Sequence, residues 1–299
     1  MKENLILQTF DWKESNDVIT EYNDNNEIEI QKYVIKAYGR TEDNKSVYLK
    51  INNYKPYFYI KKPDYWNNDN IKSYINYIFS LFPIEETNDN KYVNSKNIYN
   101  KQILNGFYKY EIEEHCDLVG FTNYKKFEFI KLSFLSMRAF YAFKKVIKEG
   151  KINSKRILKK DYKIKIYESK IKPFLDFIHE KDLKTCGWLK VLKYEKIKGN
   201  ELTYCDVNIH CDYNDIINHE ETKMTKQIVA SFDIECYSES GLFPSASNDN
   251  DYITQIGTVF CYYGETEPFY SNIITLEGCE KIKGMENVDI KSYNTERKV

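Results

Sequence analysis

The chain has 299 residues, 42% of them hydrophobic, and 44 Lys and Arg against 45 Asp and Glu, for a formal net charge of −1. That length and apolar content suit a globular protein of two ordinary domains, and no apolar run approaches the roughly 18 residues a membrane-spanning helix needs, so no membrane partner is expected. The seven cysteines (116, 186, 205, 211, 236, 261, 279) are scattered without a C-x-x-C pair, which argues against a disulfide framework or a zinc site and for a reducing compartment.

The N-terminus, MKENLILQTFDWKE, has no long apolar stretch and no small-residue cleavage site, so residues 5–12 read as an opening strand and not a signal peptide. A polar loop is expected from there through Glu29. Residues 32–39 and 46–51 carry β-branched and aromatic side chains around the turn-forming run Arg40 to Lys45, which predicts a hairpin. A third strand follows over Pro56 to Ile60, and Ile71, Tyr74, Ile75, Ile78, Phe79 and Phe82 then have the spacing of an amphipathic helix over 69–82.

A strand over Phe127 to Phe134 leads to a second helix, with Ser136 as N-cap and Gly150 as its end, in a β-α-β arrangement. Residues 167–191 join a short helix to a strand entered at Gly187-Trp188, and the sequence turns polar between His219 and Lys226, where a hinge is expected. Lysines crowd the middle of the chain at Lys125-Lys126, Lys144-Lys145, Lys148, Lys151 and from Lys155 through Lys165. Two readings of this basic block stay open. It could steer a nucleic-acid backbone, or it could be a solvated surface in a composition rich in Asn, Lys, Ile and Tyr (27 of the last) and poor in Gly (11) and Pro (6).

The segment from Ser231 to Pro244, SFDIECYSESGLFP, is the most informative. Ile228-Val229-Ala230 runs as an apolar strand into Phe232-Asp233-Ile234-Glu235-Cys236, and alternation puts Asp233 and Glu235 on one side, with their neighbours packing on the other. Two carboxylates so placed form half of a site for a hard divalent cation such as Mg²⁺. The spacing alone is weak, since Glu27/Glu29, Glu111/Glu113 and Glu265/Glu267 share it. Two more strands, 252–263 and 267–276, are expected around a turn at Gly264.

Phe-Asp-Ile-Glu-Cys, the Gly241-Leu242-Phe243-Pro244 turn, the acidic linker and Ile253-Thr254-Gln255-Ile256-Gly257 together closely resemble the first exonuclease motif of family B DNA polymerases, nearest to the delta branch and its relatives in large DNA viruses. The match covers residues 227–263; the pieces 32–60 and 167–191 resemble the family's N-terminal domain more loosely, in the family's order, and 288–299 resembles the lead into the exonuclease domain's first helix. The resemblance implies a mixed α+β fold: a β-rich N-terminal domain over 1–222, then the incomplete start of a ribonuclease H-like 3′–5′ exonuclease domain over 223–299.

It further implies that Asp233 and Glu235 are catalytic metal ligands, Asp233 bridging two Mg²⁺ ions and Glu235 helping to position the attacking water. The family completes that site with acids from two later motifs, Asn-x-x-x-Phe-Asp and Tyr-x-x-x-Asp; neither follows Glu235, and the polymerase signatures Tyr-Gly-Asp-Thr-Asp and Ser-Leu-Tyr-Pro are absent. The implied function is that of the N-terminal part of a replicative DNA-directed DNA polymerase with proofreading, inactive on its own for want of the palm and those motifs. The implied partners are DNA (template and single-stranded 3′ end), the rest of the polymerase and a sliding clamp, in the nucleus or at a cytoplasmic site of viral replication. The alternative is a stand-alone nucleic-acid-binding or assembly module from a split or truncated polymerase gene.

Overall fold

The structure, a computed structural model, describes residues 2–23, 26–84, 95–117, 120–149, 164–199, 203–280, 283–284 and 286–296. It divides into two units, Met1–Lys223 and Met224–Val299. In chain order the first contains β1 (Lys2–Asn23), β2 (Asn26–Arg40), β3 (Ser46–Asn52), β4 (Tyr57–Lys61), α1 (Asn68–Ser80), α2 (Ser95–Asn105) and β5 (Phe107–Cys116). It continues with β6 (Lys126–Phe134), α3 (Met137–Lys148), β7 (Ile166–Tyr167), α4 (Pro173–Glu180), β8 (Trp188–Lys196), β9 (Val207–Asp212) and β10 (Ile216–Asn218).

One sheet runs β1-β2-β3-β9-β8-β10, and β8 pairs back onto β1, so five of its strands close into a barrel. The β3–β9 contact is parallel and the other pairings are antiparallel. Strand order 1-2-3-5-4 in a five-stranded closed sheet is the topology of an OB-fold. The interior fills as alternation dictates: Leu7, Ile35, Ala37, Leu49, Ile51 and Ile209 are fully buried, with Phe177 of α4 packed against them.

The chain between the third and fourth barrel strands forms a second body, with sheet order β5-β6-β4-β7. Both β6 and β7 are antiparallel to β4, so β6-α3-β7 is a parallel crossover split by β4. With α1 and α2 following β4, this is the split β-α-β-β-α-β motif. Its core joins Phe58, Ile60, Ile130 and Leu132 of the sheet to Ile71, Tyr74 and Ile78 of α1 and Phe140 and Phe143 of α3.

Local chemistry explains several element ends. Asn67 caps α1 by accepting from the Asp69 and Asn70 amides, each at 3.0 Å, and the Asn70 side chain reciprocates. The Ser136 hydroxyl accepts from the Ala139 amide at 3.3 Å and starts α3 as expected; Gly150, its expected end, lies outside the described residues. The β2–β3 turn closes through Thr41 and Lys45, with Asn44 in the left-handed region (φ 63°) that Asn tolerates.

One expectation fails in this unit. The polar stretch to Glu29 is no loop. β1 and β2 continue as a two-stranded ribbon paired as far as Asn23 and Asn26, because backbone pairing needs no apolar face and Asp17 draws Lys36 (3.5 Å) and Lys50 (2.5 Å) onto it. Helix α2 and strand β5 are not foreshadowed. α2 buries only Asn100 and Ile103, and β5 lies mostly exposed, so neither shows a clear hydrophobic period.

The second unit is one sheet, β11 (Ile228–Tyr237), β12 (Tyr252–Tyr262), β13 (Tyr270–Leu276) and β14 (Asp289–Tyr293), in that order. The first three strands are antiparallel, with Gly264 at φ +87° in the turn after β12, and β14 adds parallel to β13. The stretch expected to lead into a helix therefore begins as a fourth strand, paired with β13 from Asn272–Asp289 to Leu276–Tyr293.

Candidate functional site

Strand β11 is an edge strand, paired with β12 from Ile228–Tyr262 to Tyr237–Tyr252. Asp233 and Glu235 sit two residues apart on it, so their side chains leave the same face, and both are exposed. On that face the residue directly across from Asp233 is Gly257 and the one across from Glu235 is Gln255. Directly opposed residues lie about 5 Å apart at their β-carbons. Gly257 therefore leaves the flank of Asp233 without a side chain, and no heavy atom lies within 4 Å of where its β-carbon would be.

Just past Glu235 the register shifts: Glu235 pairs with Gln255 and Cys236 with Ile253, leaving Thr254 as the bulged residue. The Thr254 hydroxyl donates to the Glu235 carbonyl at 3.0 Å, and the Ile253 amide donates to Glu296 at 2.8 Å. A bulge increases local twist and re-aims side chains, and here it fixes the backbone beneath Glu235. Asp233 Oδ1 accepts from the Ile234 amide at 3.0 Å.

The pair suits a hard divalent cation in part: oxygen donors only, on one face, with open space on the Gly257 side. Among the described residues no group of three or more His, Cys, Asp or Glu surrounds a common point, so the remaining ligands of a Mg²⁺ pair would have to come from elsewhere. Asp251 of the acidic linker has other work. It accepts from the Ser245 amide and from Asn248, both at 2.9 Å, and the first of these bonds holds its carboxyl below the usual range.

The opposite face of β11 differs from the expectation of packed neighbours. Phe232 is 68% and Ile234 43% exposed, because nothing among the described residues of the second unit's sheet covers them. In the Gly241-to-Pro244 turn, Gly241 takes φ +67° and Phe243 is 95% exposed. Gly257 and Thr254 are the contributors that residue-type reasoning passed over. Their signal was the Ile-Thr-Gln-Ile-Gly run, whose meaning depends on register. Of the basic block, Lys144 donates to the Ser169 carbonyl and Lys145 lies 3.9 Å from Glu149, while 150–163 lie outside the described residues.

Residues 164–299 match the model of the DNA polymerase family B exonuclease domain. The chain is 28% identical over 278 residues to the DNA polymerase of Acanthamoeba polyphaga mimivirus, covering 92% of this chain and 15% of that protein. It is 30% identical over 275 residues to the DNA polymerase delta catalytic subunit of Arabidopsis thaliana, covering 90% and 23%. The family B DNA polymerase of Pyrobaculum calidifontis shares the fold, with a TM-score of 0.57 at 15% identity over 91% of this chain and 27% of that one.

A closed five-stranded barrel, an inserted α/β body and a four-stranded sheet follow one another in the chain. The chain is similar to family B DNA polymerases, over residues 164–299 for the family's exonuclease domain, and it spans under a quarter of the length of the viral and delta-type relatives it matches. No helix among the described residues is long and apolar enough to cross a membrane.

Proposed function

We propose that the chain is the N-terminal part of a replicative DNA-directed DNA polymerase with 3′–5′ proofreading, with residues 1–222 as the N-terminal domain and 223–299 as the start of the exonuclease domain. The observation that carries this reading is the shared, open face of Asp233 and Glu235 across from Gly257. In it, Asp233 and Glu235 would hold Mg²⁺, and Glu235 would help to position the attacking water. Bound there, the ions would activate the water and offset charge on the leaving 3′ oxygen.

Two carboxylates cannot by themselves fix two ions that demand near-octahedral shells. The rest of the polymerase supplies the other acids and the synthetic site, and DNA is the substrate as template and as single-stranded 3′ end. A sliding clamp as partner, and a nuclear or cytoplasmic viral replication site, follow from the family resemblance alone.

The test is a paired assay on one labelled primer-template, using a chain extended through the missing motifs. Asp233→Ala with Glu235→Ala is expected to abolish shortening of a mismatched 3′ end without dNTPs and to leave lengthening with dNTPs largely intact. Excision that survives the double substitution sinks the metal assignment.

A further inference from the structure

β11 ends the second unit's sheet, and its hydrogen bonds show which of its backbone groups face away from β12. The Gln227 carbonyl accepts from the Tyr263 amide at 2.9 Å, and the Glu235 carbonyl accepts from the Thr254 hydroxyl at 3.0 Å, so both point toward β12. Backbone groups alternate direction along a strand. Those of Val229, Ser231 and Asp233 therefore point inward with them, and those of Ile228, Ala230, Phe232 and Ile234 point outward. Phe260, paired with Ala230, agrees: its carbonyl turns to the far side of β12 and accepts from the Phe269 amide at 3.0 Å.

The other strands that end the described sheets are guarded. β10 and β7 run for three and two residues, β5 carries Lys109, Glu111, Glu113 and Glu114, and five-residue β14 carries the ion pair Asp289–Lys291 at 3.3 Å. Short length and charge both blunt an edge. β11 has ten residues, and one of its faces consists of Ile228, Ala230, Phe232, Ile234 and Cys236, all exposed and none charged.

The occupant this edge fits is a second copy of itself. A two-fold axis normal to the sheet sets the strand antiparallel to its copy and keeps each face on its own side. Charge selects the register, because like charges directly opposite are destabilising. Centred on Asp233, the pairing sets that carboxylate against its own copy, and centred on Ile234 it sets Asp233 against Glu235 twice. Centred on Ser231, it drops Cys236 from the ladder and sets Phe232 against Ala230. Centred on Phe232, Asp233 meets Ser231 and Glu235 meets Val229, so no like charges oppose. The outward residues then pair as Ile228 with Cys236, Ala230 with Ile234, and Phe232 with its own copy, an aromatic pair at the centre of a joined apolar face. The Ile234 amide, which now donates to Asp233 Oδ1 at 3.0 Å, passes to the Ala230 carbonyl of the second copy.

We infer that this chain associates as a symmetric dimer through antiparallel pairing of β11 with β11 of a second copy, centred on Phe232. In dilute solution the edge stands open, and on concentration two four-stranded sheets become one. The inference goes beyond the reading of Asp233 and Glu235 as metal ligands and does not rest on it.

The experiment is sedimentation velocity of the 299-residue chain from about 5 to 500 µM under reducing conditions. The mass is expected to rise from 35.8 kDa toward twice that value. Phe232→Lys sets two ammonium groups face to face at the axis and should weaken the dimer at least about tenfold. Ser231→Lys has the opposite sign: it sets a lysine across from Asp233 of the second copy and should tighten the dimer about threefold or more. In a pairing centred on Ser231 the same change would oppose two lysines and weaken it. Cross-linking reads the register, since paired residues that exchange hydrogen bonds have α-carbons about 5.5 Å apart, within disulfide reach. Oxidised Ile228→Cys should link to the native Cys236 of a second copy, giving a reducible dimer band that Cys236→Ser removes. Lys226→Cys should not link to Cys236, which it faces only in the pairing centred on Ser231. A mass of 35.8 kDa at every concentration, association unaffected by Phe232→Lys, looser association in Ser231→Lys, or linkage of Lys226→Cys in preference to Ile228→Cys overturns the inference. None of these results bears on the excision assay.

Discussion

Gly257 lies directly across from Asp233 on the neighbouring strand, and the position of its absent β-carbon is surrounded by open space. A side chain there meets no steric objection from the sheet, so Gly257→Val should leave the second unit's strands intact. It would nonetheless place two methyl groups about 5 Å from Asp233, where a hydrated ion and a DNA end would have to sit. In the extended polymerase, excision is expected to fall by about 10- to 100-fold while primer extension is unchanged. An unaltered excision rate would show that the carboxylates act from another direction.

Asp176, in the first turn of α4, is buried and its Oδ2 has no hydrogen-bond partner among the described groups. Burial, with Glu168 and Glu180 nearby, pushes its carboxyl up to about 7. A carboxyl raised in the folded state keeps its proton there after the unfolded chain has lost it. Stability of the first unit should therefore fall as pH rises from about 4 to about 7 and level off above that, with at most about 4 kcal/mol at stake. Asp176→Asn should flatten this slope and raise stability at pH 8, read from urea midpoints across that range. An unchanged slope would assign the pH dependence to other groups.

Gly39 of β2 lies across from Thr9 beside the β1 bulge, where the barrel turns sharply. A β-carbon on Gly39 would land inside contact distance of the Gln8 carbonyl and of Leu7 Cδ1. Both are core or backbone atoms with little room to give, so Gly39→Ala is expected to cost about 1–3 kcal/mol. Thermal unfolding of the full chain would show it as a lower midpoint for the first unit.

What could be read without coordinates follows from how strongly each segment declares itself. The helix over Ile71 to Ile78 and the cap at Ser136 carry their own periodicity and hydrogen-bond chemistry, and both stand. The ribbon beyond Lys13 was illegible because its pairing is made by backbone groups, which leave no mark on residue type. The same holds at the site. Asp233 and Glu235 could be placed on one face by counting, but Gly257 opposite and the Thr254 bulge are facts of register.

Strand β11 presents an unpaired edge and two exposed apolar side chains, Phe232 and Ile234, on the face away from the carboxylates. Edges of this kind recruit other chains, and backbone amides that lack a covering layer open readily. In the 299-residue chain, amides of 228–237 are expected to exchange quickly, while those of barrel residues such as Ile35, Leu49 and Ile209, fully buried, stay protected. Phe232→Lys should suppress concentration-dependent association, since it charges the edge without touching Asp233 or Glu235. Hydrogen exchange followed by mass spectrometry, paired with light scattering across a concentration series, reads both effects. Strong protection of 228–237 in a monomer would mean that β11 has found a cover within the chain, and the expected exposure of its apolar face would be wrong.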